Sequence, residues 1–170
     1  KRSAHSRRRI VQRFLSLFEI CRVEIIRQKG FFMSLLPYIR NEIPGLREAL
    51  DAYTFPEILL DVDRYGKGHI NDTFCAVCQS QEGNVIRFII QRLSNAAFPH
   101  PEELMENFVG ITSFVRNKIL ADGGDPTRET LSVVKTKDGR DFYTDAYGRV
   151  WRLMPFIENT DCYQSATPEL

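Results

Sequence analysis

The chain has 170 residues, with 23 basic and 22 acidic side chains and a formal net charge of +1. So even a balance gives no strong electrostatic claim on nucleic acid, and an apolar fraction of 43% suits a soluble globular domain with a sizeable core. No apolar run reaches the roughly 20 residues of a membrane span.

Residues 1–32 differ in composition from the rest of the chain. Arg7, Arg8 and Arg9 close a strongly basic start, and Ile10 to Ile26 is rich in Leu, Ile, Val and Phe. Three readings compete: an amphipathic helix on a membrane or partner, a targeting segment, and sequence that is not native coding sequence. The third is favoured. Met33 is the first methionine, codons for Lys29-Gly30 would be purine-rich like a bacterial ribosome-binding site, and Phe31-Phe32 would be the spacer. N-terminal sequencing of the natively expressed protein tests this, and a mature chain starting upstream of Met33 refutes it.

Residues 33–56 read as a helical lead-in. Leu35, Leu36, Ile39, Ile43 and Leu46 recur at near-helical spacing, with a break at Pro44-Gly45. Strands then succeed it: Glu57 to Tyr65, Thr73 to Gln79, and Val85 to Leu93, the last a continuous β-branched and aromatic run suited to a buried strand. Ser80 to Asn84 is a polar turn between the second and third.

Pro101 opens a helix at the position that tolerates its missing N–H, with Glu102 and Glu103 in the first turn, where the helix dipole favours negative charge. Leu104, Phe108, Ile111, Val115 and Ile119 form its apolar stripe, and Asp122 to Pro126 stops it. A meander closes the chain: Leu131 to Thr136, an Asp138-Gly139 turn, Asp141 to Thr144, a turn at Asp145 to Gly148, and Val150 to Phe156 with the single tryptophan, Trp151. Three strands, one helix and two or three strands make an α+β fold: an antiparallel sheet of five or six strands with one packed helix and a helical N-terminal lead-in.

Four cysteines are present, Cys21, Cys75, Cys78 and Cys162. Cys75-Ala-Val-Cys78 has CxxC spacing, but inside a strand positions i and i+3 face opposite ways. No second CxxC and no His pair at ligand spacing accompany it, so no metal site is assigned. This cysteine usage suits a reducing cytoplasm.

The stretch with the clearest chemistry is Tyr65-Gly66-Lys67-Gly68-His69-Ile70-Asn71-Asp72-Thr73, a glycine turn between two strands. Glycine permits close backbone approach to a ligand, and successive N–H groups in such a turn can hold a phosphate. Alone it is also an ordinary hairpin.

The strand and helix order is that of the small N-terminal lobe of kinases, and four motifs make the likeness more specific. The glycine turn resembles the nucleotide loop of anomeric N-acetylhexosamine kinases, of the aminoglycoside/choline-kinase-like phosphotransferase superfamily. Phe88-Ile89-Ile90-Gln91-Arg92-Leu93 is similar to that family's third strand. Phe98 with Pro101 to Asn107 is similar to the start of its helix, and Trp151 to Glu158 to its last small-lobe strand and hinge. Together they span about residues 60–165.

The resemblance implies ATP-dependent phosphorylation of the anomeric hydroxyl of GlcNAc or GalNAc to the sugar 1-phosphate. Positioning and charge stabilisation carry such a transfer. By the resemblance Gly66, Lys67, Gly68, His69, Ile70 and Asn71 cover the ATP phosphates, and Phe156, Ile157 and Glu158 meet the adenine edge. Ile70, Ile89 and Met154 line the base. Kinases generally put a Lys on the third strand; here Gln91 and Arg92 are the polar candidates, on opposite faces, with Gln91 favoured for the cleft and the neutralisation left more to metal ions. Glu106 matches the helix glutamate that pairs with that strand, although a helical wheel turns it off the apolar stripe and Glu103 lies nearer.

The departure from the family pattern is large. No His-x-Asp-x-x-x-x-Asn loop is present, and Asp61-Val-Asp63 precedes the glycine loop, so no catalytic residue is assigned. The expectation is a truncated ATP-binding lobe, inactive alone, over residues 33–160, whose Mg2+ ligands and sugar pocket lie in a C-terminal lobe that is its natural packing partner. Residues 161–170, with Thr167-Pro168-Glu169-Leu170, would be the start of that lobe. The alternatives are an aminoglycoside, choline or homoserine kinase of the same superfamily, or a non-catalytic interaction module. The expected setting is cytoplasmic, without nucleic acid or membrane.

Overall fold

The computed structural model describes residues 38–55, 58–80 and 82–160. The expectations placed on residues 1–32, on Leu35 and Leu36, on Cys21 and Cys162, and on 161–170 lie outside them. The architecture is α+β. A six-stranded sheet has the order β1-β2-β3-β4-β6-β5, with β1 at Tyr38–Ile39, β2 at Ile58–Arg64, β3 at Asp72–Gln79, β4 at Val85–Arg92, β5 at Tyr143–Thr144 and β6 at Val150–Pro155. All neighbours are antiparallel except β1 and β2. Among the described residues three helices accompany it: α1 at Leu46–Asp51, α2 at Pro101–Ala121 and α3 at Pro126–Glu129.

Alternation along the central strands sorts the side chains into two faces. On the first, Val62, Phe74, Ala76, Cys78, Phe88, Ile90, Trp151 and Leu153 form the main core, closed by Leu46, Ala49 and Leu50 of α1 and by Tyr53. The Tyr53 hydroxyl donates to the Trp151 carbonyl at 2.9 Å, so the largest core pair is also hydrogen-bonded. On the second face lie Asp61, Asp63, Thr73, Cys75, Val77, Arg87, Ile89, Gln91, Arg152 and Met154, as the register requires. Helix α2 adjoins this side through Met105 and Phe108, which meet Arg152. Met105 also joins Leu93 and Val150 in a second buried cluster.

The corner after β5 is set by one carboxylate. Asp145 is buried and accepts from Trp151 Nε1 at 2.9 Å, Arg149 Nε at 2.7 Å and the amides of Tyr147 and Arg149 at 2.9 and 3.0 Å. Gly45, at φ +87°, sits directly against this group, and a Cβ there would overlap Asp145 and Arg149. That contact fixes α1 against the β5–β6 turn.

Three expectations are corrected. Within the described part of the lead-in, residues 38–55, the helix is confined to α1; Ile39 instead pairs in parallel with Val62, beside the core that its side chain joins. Leu131–Thr136 is not a ladder strand. It makes single bridges, Val134 to Leu153 and Thr136 to Tyr53, because Lys137 N–H donates to the Ala52 carbonyl and Thr136 is drawn into the Asp138–Arg140 turn. Ile111 is 64% exposed, as is Phe114, and the buried side of α2 is centred on Met105. The one long helix expected is α2, and the short α3 comes directly after it in the chain. Cys78 points into the core and Cys75 to the opposite face, as strand alternation requires. Among the described residues no helix is long and apolar enough to cross a membrane.

Candidate functional site

The glycine loop connects β2 and β3, which are antiparallel neighbours, and closes with Tyr65 N–H donating to the Thr73 carbonyl at 2.9 Å. Gly66 has φ +78°, a conformation closed to most side chains, so glycine is needed there by the chain itself. Gly68 has no positive φ, and a Cβ on it would meet nothing within 4 Å. The fold therefore gives no internal reason for glycine at 68. Residues 65–70 are exposed, with Ile70 at 61%. Among the described residues the amides of Gly66, Lys67, Gly68, His69, Ile70 and Asn71 have no hydrogen-bond acceptor. The Asn71 side chain is engaged: its Oδ1 accepts from Ser94 N–H at 2.9 Å and ties the loop exit to the segment after β4.

Gln91 and Arg92 diverge as alternation demands. Arg92 lies on the core face, 5.8 Å from the Trp151 ring, with Asp72 accepting at 2.5 Å from its Nη2 and Arg64 on the other carboxylate oxygen at 2.9 Å. Burial alone would raise the Asp72 carboxyl, but these two guanidinium groups outweigh it and hold it low. Gln91 lies on the second face, in the row Thr73–Gln91–Arg152 that crosses three strands. Its Nε2 donates to Thr73 Oγ1 at 2.8 Å, and its Oε1 accepts from Arg152 Nη2 at 2.7 Å and Nε at 3.1 Å. Glu106 and Glu103 are exposed and reach neither Gln91 nor Arg92. Among the described residues the expected pairing of a helix glutamate with Gln91 or Arg92 is thus not formed, because Met105 and Phe108 take the sheet-facing positions of α2.

At the other end of the second face, β6 runs into Phe156, Ile157 and Glu158. Phe156 N–H donates to the Arg87 carbonyl at 3.1 Å. Arg87 pairs with the Glu158 carboxylate through Nε at 2.8 Å and through Nη2, and its guanidinium lies 3.9 Å over the Phe156 ring. The Arg87 hydrogen bond holds the Glu158 carboxyl below its usual range. The Tyr65 ring meets the edge of Phe156 at a centroid distance of 5.4 Å and an angle of 82°. The loop base and the end of β6 therefore touch across a face whose floor is Ile89 paired with Met154. The Ile157 carbonyl accepts from Thr160 Oγ1 at 2.9 Å, and the Glu158 carbonyl accepts from Arg128 of α3. Left without partners among the described residues are the Phe156 carbonyl and the Ile157 and Glu158 amides.

Arg152, Arg128 and Tyr65 were not named as site residues from the sequence. For Arg152 the signal was there: a lone charge between Val150 and Met154 at same-face strand positions. For Arg128 and Tyr65 the contacts are tertiary and no local pattern announces them. Among the described residues no group of three or more His, Cys, Asp or Glu side chains converges as a metal site. No family model matches the chain.

Proposed function

We propose that residues 33–160 form the ATP-binding lobe of a phosphotransferase, and, by the motif resemblance, of a kinase acting on the anomeric hydroxyl of an N-acetylhexosamine. The observation that carries the reading is the run of six unpartnered amides from Gly66 to Asn71 on a turn between adjacent strands. Successive N–H groups in such a turn can hold an anion. The free Phe156 carbonyl and Ile157 amide add an acceptor beside a donor at the far end of the same face, which matches the donor–acceptor edge of adenine. Ile89 and Met154 supply the apolar floor between, and Lys67 and His69 stand at the loop for added charge.

ATP, when bound, would bring the group to be transferred; these residues would bind and orient it. Base, Mg2+ ligands and the sugar pocket are assigned to a second lobe, and a cytoplasmic setting follows from the reaction. The direct test is titration with ATP, adenosine and GlcNAc by calorimetry: ATP and adenosine should bind and GlcNAc alone should not. A form completed with a catalytic lobe from the adjoining reading frame should convert GlcNAc or GalNAc to the 1-phosphate. Turnover only on an aminoglycoside, choline or homoserine would move the assignment within the superfamily. Absence of any nucleotide binding would leave the interaction-module reading.

A further inference from the structure

We propose that Arg152 is a phosphate-binding residue, supplying from β6 the positive charge that Gln91 on β4 cannot. The inference rests on the nucleotide reading for the identity of the anion but on separate geometry for the site. Arg152 is partly buried between the sheet and α2, and among the described residues it pairs with no carboxylate. Its Nε and Nη2 both point at one neutral oxygen, Gln91 Oε1, and its Nη1 lies 4.0 Å from Met105 Sδ. One face of the guanidinium is covered by the Phe108 ring at 4.4 Å. The other arginines on the central strands, Arg64, Arg87 and Arg92, each hold a carboxylate.

A guanidinium carries five N–H donors and does not lose its charge in proteins. Among the described residues, the partners of this partly buried guanidinium are an amide, a thioether and a ring, so its charge lacks the counter-ion that an anion would supply. The ring and the amide fix its plane and do not neutralise it. Position gives the anion its class. Thr73, Gln91 and Arg152 lie in one cross-strand row, and Thr73 is the second residue after Asn71, the last of the loop. With strands spaced at about 4.8 Å, the Arg152 backbone is roughly 10 Å from the loop exit. An extended polyanion held by the Gly66–Asn71 amides can reach a guanidinium at that distance through the Nη donors that Gln91 does not use.

The test uses the whole chain with three probes: ATP, adenosine and inorganic tripolyphosphate. In the wild type, ATP and tripolyphosphate should each shift the Arg152 Nε–H NMR resonance, and adenosine should not. Arg152→Met keeps the stem against Phe108 and Met105. It should weaken ATP by about tenfold to a hundredfold, the range expected for one charge-assisted contact, and leave adenosine unchanged. Arg152→Lys should recover part of the loss. ATP binding that leaves the Arg152 resonance still overturns the proposal while the nucleotide reading stands. Tripolyphosphate shifting that resonance without any binding of ATP or adenosine supports the anion site and removes the nucleotide. No response to any probe overturns both. The wild-type resonance decides the matter even if Arg152→Met does not fold.

Discussion

Replacing Gly68 and Gly66 in turn by alanine separates what the loop needs to fold from what it needs to bind. At Gly66 the φ of +78° is the left-handed region, where a Cβ costs roughly 1–2 kcal/mol. At Gly68 there is no such φ and nothing lies within 4 Å of the added methyl, so the folded chain should tolerate it. The reduced freedom of the unfolded chain should even stabilise the variant slightly, by up to about 1 kcal/mol. The empty space beside Gly68 is where the triphosphate is placed, and a methyl there should cost at least one amide–phosphate contact. A hydrogen bond to a charged group is worth about 1.5–3 kcal/mol, or roughly tenfold to a hundredfold in affinity. Urea unfolding and ATP calorimetry on both variants read the two quantities separately. Gly66→Ala should lose stability; Gly68→Ala should keep stability and lose ATP. Gly68→Ala with wild-type ATP affinity would refute the placement of the phosphates.

Three further outcomes are expected. Asp145→Asn should destabilise the fold by roughly 3 kcal/mol, since it removes the counter-charge of Arg149 and sets an NH2 donor against the donors that one of the two carboxylate oxygens satisfies in the wild type, measured by denaturant unfolding at neutral pH. Burial pushes the Asp145 carboxyl up, but the bonds from Trp151 and Arg149 prevail and hold it below its ordinary 3.8; its contribution is therefore complete above that pH and fades as pH falls through the lower folded value, and Asp145→Asn should flatten that part of the acid limb. Tyr53→Phe removes the buried hydroxyl that donates to the Trp151 carbonyl and should cost about 1 kcal/mol in the same assay. Burial pushes the Cys78 thiol up to about 12, so peptide mapping after alkylation at pH 8 should find Cys78 unlabelled until the protein is unfolded.

The parts of the fold written in local pattern were legible. A continuous β-branched and aromatic run marked β4, the glycine loop and the Ser80–Asn84 turn marked the two ends of β3, and Pro101 with its following acids marked the start of α2. The parts decided by distant neighbours were not. Two residues, Tyr38 and Ile39, become a strand only because β2 offers an edge, and no two-residue pattern can say so. Leu131–Thr136 has strand composition, yet the Val134 amide is claimed by Leu153, the Thr136 amide and hydroxyl by its own turn, and the next amide, Lys137, by Ala52. Ile111 fits a helical stripe, but the side of α2 that meets the sheet is rotated toward Met105.

The candidate site divides in the same way. The loop, Gln91 and the run into Glu158 could be quoted from the sequence as motifs. That Arg152 replaces a carboxylate partner with Gln91, that Arg128 occupies the Glu158 carbonyl, and that Glu106 faces away are consequences of packing.

The central claim is that the amides of the β2–β3 turn hold phosphate. The most direct measurement is an amide NMR titration of the isotope-labelled chain with ATP. Saturable shifts at Gly66 to Asn71, accompanied by Ile157 and Glu158, are the expected result. Saturation with those eight amides unmoved, or shifts confined to the basic turn around Lys135, Lys137 and Arg140, would contradict it.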